Sequence, residues 1–169
     1  MLNYFYTDEI SEVLAQLMNE HISNEQVKRI YRGDFTVLPT PEQLDECLPA
    51  IIIESIDADH EFANESLGVL YSQYKYRIFY VQPYTYLEGE QVVYNTTKAI
   101  EKIANILLYS NTLSLKVEPS ETQKGGLVIH TEIKKTSLAP IEEEGVLSLA
   151  GVEVAIGALE AIVHFRTFE

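Results

Sequence analysis

Tryptophan is missing from this chain of 169 residues, cysteine occurs once, and basic side chains are scarce. A single cysteine, Cys47, excludes an intrachain disulfide and a cysteine-ligated zinc cluster. With no base beside it in sequence, it reads as a small buried hydrophobe and not as a reactive thiol. Twelve Lys and Arg stand against twenty-six Asp and Glu, for a formal net charge of −14. Phosphate contacts need a positive face, so the charge argues against a general nucleic-acid binder. The same charge suits solubility, or a protein that nucleic acid passes without sticking. No apolar run approaches the roughly 18 residues of a membrane span. Met1-Leu2-Asn3-Tyr4 carries no basic region ahead of an apolar one, so synthesis and residence in the cytoplasm are expected.

Catalytic signatures are absent as well. There is no Gly-x-Ser-x-Gly, no phosphate-binding glycine loop and no dinucleotide fingerprint. His21, His60, His130 and His164 show no metal-ligand spacing, and His164, between Val163 and Phe165, reads as an outward strand residue. Paired carboxylates cannot be recognised without geometry. No catalytic, cofactor or metal site is expected, and an enzyme is not the expected class.

The patterned region centres on Tyr71–Val117. Tyr74, Tyr76, Ile78, Tyr80 and Tyr84 share one parity and Gln73, Lys75 and Arg77 the other, which predicts a strand with an aromatic face and a basic-polar face. Parity blurs at Phe79 and Val81, where cover on both sides is expected. Pro83 to Val93 is a connection turning at Glu88-Gly89-Glu90. Asn95 or Thr96 caps a helix with Ile100, Ile103, Ala104 and Leu107 in one stripe. Leu113, Leu115 and Val117 predict a further strand.

Around this block, Ile10, Val13, Leu14, Leu17, Met18 and Ile22 predict an amphipathic helix over residues 8–32, broken and restarted at Ser23/Gln26 by a capping box and stopped at Gly33. Lys28, Arg29 and Arg32 form the densest basic cluster, either a solvated helix face or a partner contact. Phe35, Val37 and Leu38 suggest a short strand, and Thr40-Pro41-Glu42-Gln43 starts a short helix ending before Pro49. Ala50–Ile56 predicts a central strand. Asp57–Leu67 reads as an acidic loop. Its alternating Asp57, Asp59 and Glu61 resemble a calcium loop, but Phe62 stands where the glycine is needed and Gly68 where the glutamate is needed. A hairpin-like insertion over about 118–136 turns at Gly125-Gly126, and an exposed loop over about 137–150 carries Pro140 and Glu142-Glu143-Glu144-Gly145. Gly151–Phe168 is a last strand whose change of parity predicts a bulge at Gly157-Ala158. One α/β (α+β) domain over 1–169 results: a mixed, mainly antiparallel sheet of about four to five strands, an N-terminal helix, a second long helix and a β-hairpin.

This order, with Pro49-Ala50-Ile51-Ile52-Ile53-Glu54, Tyr74-Lys75-Tyr76-Arg77-Ile78-Phe79-Tyr80-Val81, the Asn95–Tyr109 helix and Val152–Phe165, resembles the tail terminator (tail-completion) proteins of tailed bacteriophages and phage-tail-like particles. The resemblance covers most of the chain and is one of pattern, without a diagnostic motif; Lys134–Ala150 has no counterpart in it. It implies a homo-oligomeric, hexameric ring that caps the tail tube and meets the head connector or neck, assembled in the bacterial cytoplasm and carried in the virion or particle. It implies no catalytic residues. DNA would pass without specific binding, with no membrane involved. On that basis Lys28, Arg29, Arg32, Lys75 and Arg77 are candidates for the subunit interface. Asp57, Asp59, Glu61 and Glu65, or Glu142, Glu143 and Glu144, are candidates for the channel lining, and the segments Asp57–Leu67 and Leu138–Ser148 for ordering on assembly. A head–tail joining subunit and a small cytoplasmic α/β protein-binding module are the alternatives.

Overall fold

The computed structural model describes residues 1–38, 41–138, 146–149 and 152–169. In chain order the elements are α1 (Thr7–His21), β1 (Arg29–Arg32), α2 (Pro41–Cys47), β2 (Ala50–Asn64), β3 (Val69–Pro83), α3 (Gly89–Tyr109), β4 (Lys116–Val117), β5 (Gly126–Leu138), β6 (Val146–Leu149) and β7 (Val152–Thr167). Short 3-10 turns lie at Phe35–Val37 and Tyr86–Glu88. The seven strands form one sheet in the order β1-β2-β3-β7-β5-β4, with β6 also paired to β7. Only β1/β2 is parallel among the named pairs. The α/β class, the N-terminal helix, the second long helix and the mainly antiparallel sheet follow the sequence reading, with more strands than the expected four to five.

Both long helices lie on one face. Ile10, Leu14 and Met18 of α1 and Ile100, Ile103 and Leu107 of α3 recur at helical spacing and pack on Tyr74, Tyr76, Ile78 and Tyr80 of β3 and Leu159, Ala161, Val163 and Phe165 of β7. The expected parity of β3 is therefore observed. Its tyrosine hydroxyls are satisfied inside the core. Tyr74 Oη accepts from the Tyr6 amide at 3.1 Å, Tyr76 Oη donates to the Thr7 carbonyl at 2.9 Å, and Tyr80 Oη donates to Gln82 Oε1 at 3.0 Å. Two of these bonds hold the first turn of α1, which has no side-chain cap of its own.

A second, smaller core lies on the opposite face at one end of the sheet. There Leu44 and Leu48, from α2 and just after it, cover Ala50, Ile52, Phe79, Val81, Val154, Ile156 and Ala158. This explains β7 without a bulge: its register against β3 is unbroken from Arg166 to Val154. The change of parity reports which face is covered, α2 at one end and α1 with α3 at the other. Gly157 has a packing role instead. A Cβ there would meet Ile100 Cγ1 at 2.4 Å and Thr96 Cγ2 at 3.1 Å, so its hydrogen lets α3 lie close to the sheet. The irregularities fall in β2 (Ser55/Asp57, Phe62/Asn64) and β5 (Val128/His130, Ile133/Lys135).

Several expectations are overturned. Residues 24–32 do not continue as helix. The Ser23 carbonyl accepts from the amides of Gln26 and Val27 in a single turn, and the Lys28 amide then bonds the Pro49 carbonyl at 2.8 Å, laying β1 beside β2. Phe35–Val37 is a 3-10 turn capped by Asp34, not a strand. Asp57–Asn64 is the outer half of β2, because an equally long β3 lies opposite to pair with it. Asn95 and Thr96 are inside α3, which starts at Gly89. Leu113 and Ser114 take left-handed φ values of 54° and 49°, leaving only Lys116–Val117 as strand. Lys116 and Val117 pair with Leu127 and Gly126, so residues 118–125 form the connection in place of a tight two-glycine turn. Lys134–Leu138 and Val146–Leu149 are strand, whereas the expected loop at residues 139–145 lies outside the described residues.

Three outcomes are expected. Gly157→Val should cost about 1–3 kcal/mol by forcing α3 off the sheet, read as a lower urea midpoint. Thr131 Oγ1 is buried with no hydrogen-bond partner, so Thr131→Val should be neutral or stabilising by about 1 kcal/mol in the same assay. Burial pushes Tyr76 up strongly and Tyr80 up to about 12 from an ordinary value of 10.0. Their folded pKa values are raised, so their contribution is complete below about pH 10 and is lost as pH rises toward the folded values. Alkaline unfolding, followed by circular dichroism with tyrosinate absorbance, should begin in that window and move upward in Tyr80→Phe.

Candidate functional site

Beyond the end covered by α2, no helix among the described residues lies on the second face of the sheet, which is tiled largely with polar groups. Directly opposed residues share a face of a sheet, and the registers place them in rows. Glu61, Tyr71 and Arg166 form one row. Asp59, Gln73, His164 and His130 form the next, followed by Asp57, Lys75, Ile162 and Glu132, and then Glu54, Arg77 and Glu160.

Several charges on this face are paired within the chain. Lys75 Nζ lies 2.9 Å from Asp59 Oδ2 and 3.6 Å from Asp57 Oδ1. The hydrogen bond to Asp59, reinforced by the charge of Asp57, raises the pKa of the Lys75 ammonium. Arg77 lies 3.3 Å from Glu160. Glu132 Oε1 meets Lys134 Nζ at 2.9 Å and Glu132 Oε2 meets His164 Nε2 at 3.0 Å. Lys134 first, then His164, holds the Glu132 carboxyl below its usual range. His164 Nδ1 is bonded to the Tyr71 hydroxyl. The His130 and His164 rings stack with centroids 4.0 Å apart.

The sequence-predicted residues are thereby redistributed. Lys75 and Arg77 do face away from the tyrosine core, as expected, but they are engaged by Asp57, Asp59 and Glu160 of the same chain, since strand pairing aligns opposite charges. Asp57, Asp59 and Glu61 belong to β2 and share the face of Lys75, so the expected loop is a strand carrying an acidic row. Glu65 sits in the turn between β2 and β3. Lys28, Arg29 and Arg32 are on or beside the edge strand β1, not on a helix face. Arg32 opposes Ile53, on the α1 side, and contacts Asp8 at 2.9 Å; Arg29 opposes Ala50, on the α2 side. Glu142, Glu143 and Glu144 lie outside the described residues.

The cluster of His130, Glu132 and His164 is not visible in the sequence because its members come from two strands that only the sheet brings together. The one local signal is the His130-x-Glu132 alternation, which places both side chains on one face of β5. A cavity of about 520 Å³ lies at the other face, between α3 and the α1–β1 turn, lined by Tyr80, Gln82, Lys98 and Lys102 among others. Lys102 is bonded there to Gln26 at 2.8 Å, and Lys98 is bonded to Glu101 at 3.1 Å. No protein-family profile and no curated protein matches the chain.

The open face makes a direct electrostatic test. Lys75→Met leaves Asp57 and Asp59 neighbours without their shared cation. The urea midpoint should fall at low ionic strength, and the loss should shrink as added salt screens the two carboxylates.

Proposed function

We propose that this protein is a structural subunit of a phage or phage-tail-like particle, forming a ring that terminates the tail tube and connects it to the head or neck. The observation that carries the reading is the uncovered, charge-tiled face of the sheet beside a short, basic edge strand. A polar sheet surface of this kind suits lateral contact between subunits. A closed ring needs two different surfaces that meet head to tail. The acidic outer half of β2 and the edge strand β1, with Arg29 on its α2 side and the Asp8-paired Arg32 on its α1 side, are two such different surfaces. Resemblance of the element order to tail terminators supports the particular assembly, and the net charge of −14 suits a ring past which DNA slides.

In this reading Lys75 and Arg77 serve the interface in a changed way: they hold the acidic row in a fixed geometry and leave its outer end, at Glu61 and Glu65, as the negative surface. The tail tube protein and a connector or neck protein are the partners at the two ring faces.

Native mass spectrometry and negative-stain imaging, alone and with a tail tube protein, test the proposal. A sixfold ring is expected, at least on the tube. Lys75→Glu/Arg77→Glu should remain folded by circular dichroism and lose the ring. A chain that stays monomeric with and without the tube overturns the ring assignment, and rings formed unchanged by the double variant defeat the interface role of these two residues.

A further inference from the structure

The geometry points to a binding site for a divalent transition-metal ion at His130, Glu132 and His164, on the open face of the sheet. This site is independent of the ring reading. One ligand atom from each residue lies within 4.8 Å of the other two. The backbone explains why they converge. His130 and Glu132 are alternate residues on one face of β5, roughly 7 Å apart along the strand, and His164 of β7 is the direct cross-strand partner of His130. Two imidazoles and one carboxylate form a borderline-soft donor set that suits zinc and neighbouring first-row ions over magnesium or calcium.

The supporting contacts orient the donors. Metal-binding histidines almost always give their second nitrogen to another group, which fixes the ring and the tautomer. His164, at 7% exposure, has Nδ1 on the Tyr71 hydroxyl and Nε2 turned to Glu132. Glu132 has Oε1 on Lys134 and Oε2 turned to His164. The two atoms left to ligate an ion therefore face each other across 3.0 Å, and coordination replaces their hydrogen bond. On binding, the His164 proton moves from Nε2 to Nδ1, where it is donated to the Tyr71 oxygen, and the Nε2 lone pair goes to the ion. His130 completes the triad by turning out of its stack on His164. Three protein donors leave one tetrahedral position for water or for a group from a neighbouring molecule.

The test uses the full chain without a histidine tag. Zinc binding is measured by isothermal titration calorimetry, cobalt binding by visible absorption, and magnesium serves as the control. One equivalent of zinc is expected, with intense tetrahedral cobalt bands and no magnesium binding. His130→Ala and Glu132→Gln, which alter less buried members and can be checked for folding by circular dichroism, should each weaken zinc by about tenfold or more. Tyr71→Phe, as a positioning change, should weaken it about 10–100-fold. No saturable zinc binding to the wild-type chain overturns the site, as does zinc binding retained at wild-type strength in both folded ligand variants.

Discussion

Four buried tyrosine hydroxyls need hydrogen-bond partners, and much of the fold is arranged to supply them. A phenol withdrawn from water without a partner costs on the order of 1–3 kcal/mol, so Tyr6, Tyr74, Tyr76 and Tyr80 constrain whatever covers β3. The start of α1 meets this need. Its first amide and carbonyl groups bond Tyr74 and Tyr76, while Tyr6 Oη accepts from the Gly125 amide at 2.8 Å. One network thus ties the N-terminal helix, the central strand and the approach to β5. The Tyr74 oxygen also satisfies the Tyr6 amide, a helix-start donor with no partner within the helix.

The sheet is covered in two places of opposite face. α1 and α3 bury one side, α2 buries one end of the other, and β7 crosses both regions without a break in register. On that second face the outer half of β2 and the matching parts of β3, β7 and β5 meet no helix among the described residues and are largely polar. Opposed strands align Lys75 with Asp57 and Arg77 with Glu54 and Glu160. That arrangement pairs Lys75 and Arg77 within the chain and leaves acidic side chains in excess on this face. A few residues away, the same strands bring His130, Glu132 and His164 together.

The elements whose periodicity was unambiguous were legible from sequence. The Ile10–Met18 stripe, the alternation of Tyr74 to Tyr80 and the Ile100–Leu107 stripe each identify a helix or strand by its own side-chain spacing. Elements that exist only through a partner strand were not. Asp57–Asn64 looks like a loop because acidic residues lack β propensity, yet β3 supplies a full set of opposing backbone groups. Arg29–Arg32 looks like the tail of a helix until the Pro49 carbonyl draws it alongside β2. The parity change in β7 has two physical causes with the same sequence signature, a bulge or alternating cover, and only the placement of α2 separates them.

The single Cys47 ruled out an intrachain disulfide, the charge balance made the chain strongly acidic at −14, and local periodicity determined the inward faces of α1, β3 and α3. Those conclusions need only composition and neighbours in the chain. The pairing of Lys75 with Asp57 and Asp59, the division of the basic cluster around β1, and the meeting of His130 and Glu132 with His164 were decided by the tertiary structure. Each depends on strand register, which is set by long-range pairing and packing and leaves no mark in the spacing of the residues it brings together.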